Sequence, residues 1–332
     1  MKVFLRMTCV LVMATSFVQA QEKQRTASDV WIELRLQLEK PQSEKTAEWR
    51  QQATSFIISL TTDEILGAAR AACEEATTSP RLKTVSEQEL GAYTIASMLL
   101  GRYSSTIIVH VDKDKIGSLK AFAGKLVRVV SDKQEPIGLR LAAVNWLQDK
   151  VYSHRRGQAT EFPETIISDL AGVLDSVLKS QVEHSSLREQ AVDALRYTLQ
   201  EELYKIRQAD PNVRRVLEEK RRHTKNVIRI DDLIRSGEVT FTEDTAKKLK
   251  SIEARILANT KLLATILADK ENEPERLRRM VKHRLEMDRR LAIPGLQEEI
   301  DKALKHGDDL KPRLLGQVQP PASAPAGSQP AQ

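Results

Sequence analysis

The amino-acid sequence predicts an all-α fold, and three observations support this prediction. Apolar residues recur at spacings of three and four through most of the chain, which is the period of one helix face. A pattern spanning two helices recurs at a fixed offset. Capping-box patterns, in which a Ser or Thr side chain and a Glu three residues later bond each other's backbone N–H groups, mark expected helix starts. They are Thr61-x-x-Glu64, Ser86-x-x-Glu89 and Ser186-x-x-Glu189.

The recurring pattern has a period of 48 residues. Residues 139–147, LRLAAVNWL, agree with residues 187–195, LREQAVDAL, at five of nine positions. At the same offset, residues 122–130, FAGKLVRVV, share an Ala, a Gly, a Leu and a Val with residues 170–178, LAGVLDSVL. A weaker copy, LGAYTIASM, begins at Leu90, 49 residues before Leu139. Agreement through two successive helices indicates a repeated unit.

Each unit reads as a helical hairpin, with a first helix, a short turn and a second helix. One hairpin cannot bury its apolar face alone, so successive hairpins are expected to stack into an α-solenoid. In the second helix of the later unit, we expect Leu187, Ala191, Val192 and Leu195 to be buried. Arg188 is expected to make an inter-repeat or surface contact.

The second helices resemble those of HEAT repeats. In both, an aliphatic-Arg pair, Leu139-Arg140 or Leu187-Arg188, is followed by an Ala and a Leu that face the core. The resemblance covers about residues 85–205 and implies a right-handed α-solenoid of HEAT-like hairpins. The units are longer than is usual for the family, and their turns have no clear Asp.

Composition changes along the chain and predicts four segments. Residues 1–20 are expected to be a signal peptide, residues 21–208 the HEAT-like repeat domain, residues 209–315 a basic helical bundle or antiparallel coiled coil, and residues 316–332 a disordered Pro/Ala-rich tail. The tail contains four prolines and no charged residue, so it cannot bury enough surface to offset its ordering entropy.

The signal-peptide prediction rests on the first twenty residues. Lys2 and Arg6 precede an apolar run from Met7 to Phe17, and small residues precede the expected cleavage after Ala20. The run is shorter than the roughly 20 residues that span a bilayer, so we expect export and a periplasmic or extracellular location. Cys73 would then be the single remaining cysteine, and we expect it to be a buried thiol.

Two stretches need separate interpretation. Residues 105–111, STIIVHV, are rich in β-branched residues but have no partner strand, so we expect an extended connection or a helix start. In residues 242–270, five aliphatic residues lie near heptad spacing, and Asn259 occupies a position in the same apolar seam. These aliphatic residues are Leu249, Ile252, Ile256, Leu263 and Ile266.

No catalytic or metal-binding motif is found. The six histidines are scattered, none has the HExxH spacing of a helical zinc site, and there is no GxSxG, GxGxxG or Walker-type loop. Residues 112–117, DKDKIG, begin like a calcium loop, but the later ligand positions are filled by Ile116 and Ala123. We therefore predict no cofactor and no enzymatic activity. The alternative is an enzyme whose site is assembled across several helices.

The basic segments are the strongest functional signal. Residues 211–230 hold seven Lys/Arg against two Glu, and residues 275–291 hold seven against three acids. The candidate anion- or partner-binding residues are Arg214, Arg222, Lys225 and Arg229, which share one helix stripe, together with Arg276 and Arg279. Such residues could bind anionic lipid headgroups or acidic glycans. Nucleic acid is disfavoured, because only 4% of residues are aromatic.

These observations favour two functions. The first is a non-enzymatic exported scaffold or adaptor that binds a protein partner through the helical-repeat surface. The second is a binder of anionic envelope surfaces that uses the basic C-terminal helices. The alternative interpretation of those helices is a solvated face on which Glu and Arg pair internally.

Overall fold

The computed structural model describes residues 25–110, 116–154, 164–223 and 228–306. Within these ranges 81% of residues are helical and none lies in a strand, which confirms the predicted all-α class. The predicted signal peptide, the Pro/Ala-rich tail, Lys225 and most of the calcium-loop-like stretch lie outside the described residues.

Thirteen α-helices and a short 3-10 turn at Gln42–Glu44 lie in the described ranges. The α-helices are α1 Ala27–Glu39, α2 Ala47–Ser59, α3 Thr62–Thr78, α4 Val85–His110, α5 Ile116–Ser131, α6 Ile137–His154, α7 Glu164–Lys179, α8 Ser185–Ala209, α9 Pro211–His223, α10 Ile230–Arg235, α11 Glu243–Ala268, α12 Glu275–Asp288 and α13 Leu296–His306.

One of the three predicted capping boxes is present as predicted. Thr61 and Glu64 form a reciprocal box at the start of α3. The other two predictions were wrong in position. At α4 the box lies two residues earlier, where Thr84 Oγ1 accepts from the Glu87 N–H and the Glu87 carboxylate accepts from the Thr84 N–H. At α8 the cap is His184, whose Nδ1 accepts from the Ser186 N–H.

The β-branched stretch is helical rather than extended. Residues 105–110 form the end of α4, a helix of 26 residues, so the predicted connection or helix start was wrong. Tertiary contacts outweigh the weak preference of β-branched residues for strands. Ile107 and the neighbouring Tyr103 are buried, and the Tyr103 ring meets Phe122 of α5 edge to face.

Consecutive helices pack in pairs, and equivalent helices of successive pairs also pack on each other. The pairs are α3 with α4, α5 with α6, and α7 with α8. The second helices α4, α6 and α8 pack in succession, and the first helices α5 and α7 pack side by side. Leu187, Ala191, Val192 and Leu195 are all buried, as predicted.

The second helices share an arginine contact with the end of the preceding helix. Arg140 of α6 donates to the Val130 carbonyl through Nε and Nη2, at 3.0 and 2.9 Å. Arg188 of α8 donates from Nη2 to the Leu178 carbonyl at 3.2 Å. Both arginines are buried, so Arg188 is not a surface residue, and its bond to the Leu178 carbonyl lies within its own helix pair.

The faint first copy of the repeat has a different register from the sequence alignment. Leu90 and Met98 are 63% and 48% exposed, whereas their aligned partners Leu139 and Leu147 are buried. The buried residues of α4 begin with Ala92, followed by Ala96 and Leu100. Burial therefore aligns Ala92 with Leu139, an offset of 47 residues rather than 49.

α4 and α6 approach each other closely at Gly138. A Cβ built on Gly138 would lie 2.6 Å from the Ala92 Cβ and 2.8 Å from the Tyr93 backbone nitrogen. No side chain fits between the helices there. By contrast, a Cβ on Gly124 or Gly172 would meet nothing within 4 Å.

The chain divides into two compact units, with the boundary between Ala254 and Arg255, inside α11. In the first unit, Asp210 joins the start of α9 to the segment before α11, because it accepts bonds from the Asn212 and Thr242 N–H groups. Arg207 of α8 is buried and pairs with Asp231 at 2.6 Å and Glu253 at 3.6 Å.

In the second unit, α12 packs on α13, and the end of α11 contacts α12 through polar groups. Arg278 Nε donates to the Leu267 carbonyl at 3.0 Å. Arg284 is buried, donates to Asn259 Oδ1, and pairs with Asp288. The five aliphatic residues and Asn259 of the predicted apolar seam are all buried, as that pattern predicts.

Candidate functional site

A groove of about 940 Å³ lies between α5 and α7 in the first unit. It is called the α5–α7 groove below. Its two walls are equivalent first helices of the repeated pattern. One end of the groove reaches α6 and the turn before α8. The lining is Ala121, Gly124, Lys125, Val127, Arg128, Ser131, Lys133, Arg140, Ile166, Ser168, Asp169, Gly172, Val173, Ser176, Val177, Ser180 and Glu183.

The repeated sequence pattern explains why the groove is open. The shared Ala and Leu positions of the two first helices, such as Leu126 and Leu174, face the core and are buried. The shared glycines, Gly124 and Gly172, lie on the opposite side and line the groove. Because neither has a side chain and open space lies beyond each Cα, the groove is wide at both walls.

A buried ion pair forms part of the groove lining. The Arg140 guanidinium donates to both carboxylate oxygens of Glu183, at 2.8 and 2.9 Å. The two side chains are only 5% and 7% exposed. Hydrogen bonding from Arg140 lowers the pKa of Glu183, although burial alone would raise it. A hydrogen bond from the His184 N–H lowers the pKa further. This pair joins the α7–α8 turn to the preceding helix pair.

The preceding turn contains the same type of contact. Glu135, 48 residues before Glu183, accepts from Arg70 of α3 at 2.7 and 2.5 Å. Hydrogen bonding to Glu135 raises the pKa of Arg70 despite its partial burial. Each turn glutamate therefore pairs with an arginine of the preceding helix pair. Sequence reasoning missed both contacts, although the repeat already placed Glu135 and Glu183 at equivalent positions.

The two walls of the groove differ in chemistry. The α5 wall holds Lys125 and Arg128, and Lys125 Nζ pairs with Asp63 of α3 at 2.7 Å. The α7 wall contributes Asp169, Ser168 and Ser176, and the Ser176 hydroxyl donates to the Gly172 carbonyl. Between them lie valines and small residues, and no histidine or cysteine is among the described residues of the lining. The groove can hold a chain segment by apolar contact and by hydrogen bonds to its backbone.

A second, smaller depression of about 270 Å³ lies between the end of α8 and one face of α9. It is called the α8–α9 pocket below. Its lining residues are Lys205, Gln208, Ala209, Arg214, Leu217, Glu218 and Arg221. Lys205 and Arg221 were not among the predicted anion-binding residues. Arg221 lies seven residues after Arg214, a spacing that places both on one helix face.

The structure describes five of the six predicted anion-binding residues, and these five are distributed over α9, the segment before α10, and α12. Arg214 lines the α8–α9 pocket, whereas Arg222 is exposed but not part of that lining. Arg229 is exposed immediately before α10, and Lys225 lies outside the described residues.

The remaining two predicted residues, Arg276 and Arg279, are on α12 in the second unit. Arg276 is exposed, and Arg279 is half-buried and pairs with Glu275. Pairing within α12 is the internal arrangement expected for i,i+4 neighbours on a solvated helix face.

Cys73 is buried in α3, in a setting that suppresses thiol chemistry. Burial raises its pKa to about 12, with a smaller effect from the nearby Glu135 and Glu74 carboxylates. The Sγ–H donates to the Ala92 carbonyl at 3.6 Å. A thiolate is the reactive form of cysteine, so this environment keeps the thiol unreactive, and the prediction that Cys73 is buried is confirmed.

The described residues contain no group of three or more His, Cys, Asp or Glu side chains placed to hold a metal ion. None of the described helices is both long and apolar enough to cross a membrane. Together, the fold and the groove define an all-α protein whose helices pack as successive pairs. No protein family, curated protein or solved structure matches the chain.

Proposed function

We propose that this protein is an exported, non-enzymatic scaffold or adaptor that holds a protein partner in the α5–α7 groove. The single observation that supports the proposal best is the groove itself. It is bounded by equivalent helices of two successive pairs and is open at both shared glycines. The buried Arg140–Glu183 ion pair lines one end of it. Stacked helix pairs provide extended grooves of this kind for partner segments.

The same proposal includes a right-handed, HEAT-like α-solenoid as the architecture. It is supported by the packing of equivalent helices and by the repeated arginine contact. Arg278 extends the pattern into the second unit, because its bond to Leu267 resembles those of Arg140 and Arg188. Its helix follows Glu273-Pro274, as α6 follows Glu135-Pro136. We therefore propose that α11 and α12 are a further, more charged hairpin of the same kind.

A bulky residue at Gly172 tests the proposed groove. A tryptophan there projects into open space, so it should fill the groove without disturbing the core. In quantitative affinity purification of the mature chain, we expect Gly172→Trp to recover at least tenfold less partner than the wild type. Mass spectrometry of the purified chain checks its new N-terminus. The interior of the groove is mostly apolar, so the wild-type interaction should persist in about 0.5 M salt, where charge contacts are strongly screened.

The matched control is Gly101→Trp on α4. Gly101 also has nothing within 4 Å of a built Cβ and is not part of the groove lining. This variant should retain the partner, and both variants should show wild-type helicity by circular dichroism. If Gly172→Trp retains the partner, or if both variants lose it equally, the groove is not the binding surface.

A further inference from the structure

The lining of the α8–α9 pocket contains three cationic side chains and a single carboxylate. Arg214, Glu218 and Arg221 come from successive turns of α9, and Lys205 comes from the last turns of α8. Leu217, also in the lining, is buried. The pocket is lined by two helices of the first unit and is distinct from the α5–α7 groove.

The pocket cations differ in their partners from two nearby basic residues, Lys220 and Arg207. Lys220 already pairs with Glu238 at 2.6 Å, and Arg207 with Asp231 at 2.6 Å. Arg214 instead donates from Nε to the Gln208 carbonyl at 3.2 Å. This bond holds the guanidinium against the end of α8 and leaves its two terminal nitrogens for a ligand. Among the described residues, Lys205, Arg214 and Arg221 form no ion pair within 4.0 Å.

The size and chemistry of the pocket favour a small oxyanion. Its volume of about 270 Å³ lies below the roughly 300–1,000 Å³ typical of pockets for drug-sized ligands. Guanidinium groups bind phosphate oxygens through paired, charge-assisted hydrogen bonds, and a lysine adds a compact positive charge. Three such groups can surround one tetrahedral anion.

Glu218 determines which oxyanion fits. An ionised carboxylate is only an acceptor, so it repels an anion that has no proton to donate. A phosphate group has a second pKa near 6, so about half of such groups keep a P–OH at about pH 6, whereas sulfate and phosphodiesters have no such proton. We propose that the α8–α9 pocket binds inorganic phosphate or a phosphomonoester through Lys205, Arg214 and Arg221, with Glu218 accepting the P–OH hydrogen bond.

Calorimetric titration of the full mature chain at about pH 6 tests this site, with sodium phosphate as the probe and sodium sulfate at matched ionic strength. Phosphate should bind at least tenfold more tightly than sulfate. Arg214→Gln should weaken phosphate binding about tenfold or more, the loss expected for one charge-assisted contact. Arg222→Gln removes the same charge from α9 outside the pocket, and should change affinity less than twofold.

Three results would overturn the proposal. The first is that no phosphate binding is detected when phosphate is in 50-fold molar excess over protein at about millimolar concentration. The second is that Arg214→Gln and Arg222→Gln lose phosphate affinity equally. The third is that phosphate and sulfate bind with equal affinity. Glu218→Gln should raise sulfate affinity toward that of phosphate; an unchanged ratio contradicts the role given to Glu218. All four side chains are at least partly exposed, and helicity measurements identify any variant that fails to fold.

Vesicle binding distinguishes the two sources of a phosphate group. Vesicles containing phosphatidic acid present a phosphomonoester, whereas phosphatidylglycerol vesicles present a phosphodiester. Selective binding to phosphatidic acid that Arg214→Gln abolishes and Arg222→Gln retains would assign the pocket to a lipid headgroup. Phosphate binding without vesicle binding would assign it to a soluble ligand. Both results support the pocket, whereas stronger binding to phosphatidylglycerol contradicts it.

Because the pocket is separate from the α5–α7 groove, Gly172→Trp should leave phosphate binding unchanged.

Discussion

Asp210 shows how one buried carboxylate can organise a helix start. Its Oδ1 accepts from the Asn212 and Val213 N–H groups at the start of α9. Its Oδ2 accepts from the N–H and the hydroxyl of Thr242, before α11. Burial alone would raise the pKa of Asp210, but bonds from Thr242, Thr245 and Asn212 outweigh it and hold the pKa at about 2.

We expect Asp210→Asn to lower the free energy of unfolding by about 2 kcal/mol at pH 7, since each unit of pKa shift corresponds to about 1.4 kcal/mol. The folded pKa lies below the unfolded value, so this stabilisation is complete above about pH 4 and is lost as the pH falls toward 2. Urea unfolding at pH 7 and pH 3 checks both statements. A difference between wild type and variant that stays constant with pH would contradict them.

Single residues also show what the repeat pattern could predict. Leu187, Ala191, Val192 and Leu195 are buried because their spacing defines one helix face, which the sequence contains directly. The partner of Arg140 was not predictable in the same way. Glu183 lies 43 residues away, and only the packing of two helix pairs brings the two groups together.

At the scale of helices, Gly138 controls how closely α4 and α6 approach. Alanine there gains helix propensity worth up to about 1 kcal/mol, but its Cβ would overlap the Ala92 and Tyr93 backbone. We expect the overlap to prevail and Gly138→Ala to destabilise the protein by about 1–3 kcal/mol, as overpacking does in other cores. Urea unfolding followed by tryptophan fluorescence measures this.

Gly124→Ala is the matched control, because it makes the same substitution in α5 with open space around the new methyl group. It should leave stability unchanged or raise it by up to about 1 kcal/mol. If Gly138→Ala is as stable as Gly124→Ala, then α4 and α6 do not approach at this position.

Helix starts show the limit of local sequence patterns. The box at Thr61 was predictable because its two residues face each other across one turn. At α8 an equally good pattern, Ser186-x-x-Glu189, is not used. His184 caps the helix instead, and its Nε2 lies 3.0 Å from Glu89 of α4. Because a contact 95 residues away in sequence helps to position the cap, a local motif could not identify it.

For the whole molecule, the division into two units has a measurable consequence. Trp31, Trp49 and Trp146 are the only tryptophans, and all three precede the boundary at Ala254. Tryptophan fluorescence therefore reports on the first unit alone, whereas far-ultraviolet circular dichroism reports on both. We expect the two signals to give different urea midpoints, since coincident transitions are the mark of a single cooperative unit.

Gly138→Ala serves as a second check, since Gly138 lies in the first unit. It should move the fluorescence transition to lower urea and shift only part of the circular dichroism transition. Coincident transitions in both the wild type and the variant would show that the two units unfold as one.

The sequence by itself determined the helical class and the buried faces of the repeated helices, because both depend on spacings of three and four residues along one chain. It also placed Gly124 and Gly172 at equivalent positions. The tertiary structure decided that these glycines open a groove, that Arg140 meets Glu183, and that Lys205 joins Arg214 and Arg221 in one pocket. Those outcomes depend on how separate helices pack, and packing distances between helices are not encoded in the period of any one helix.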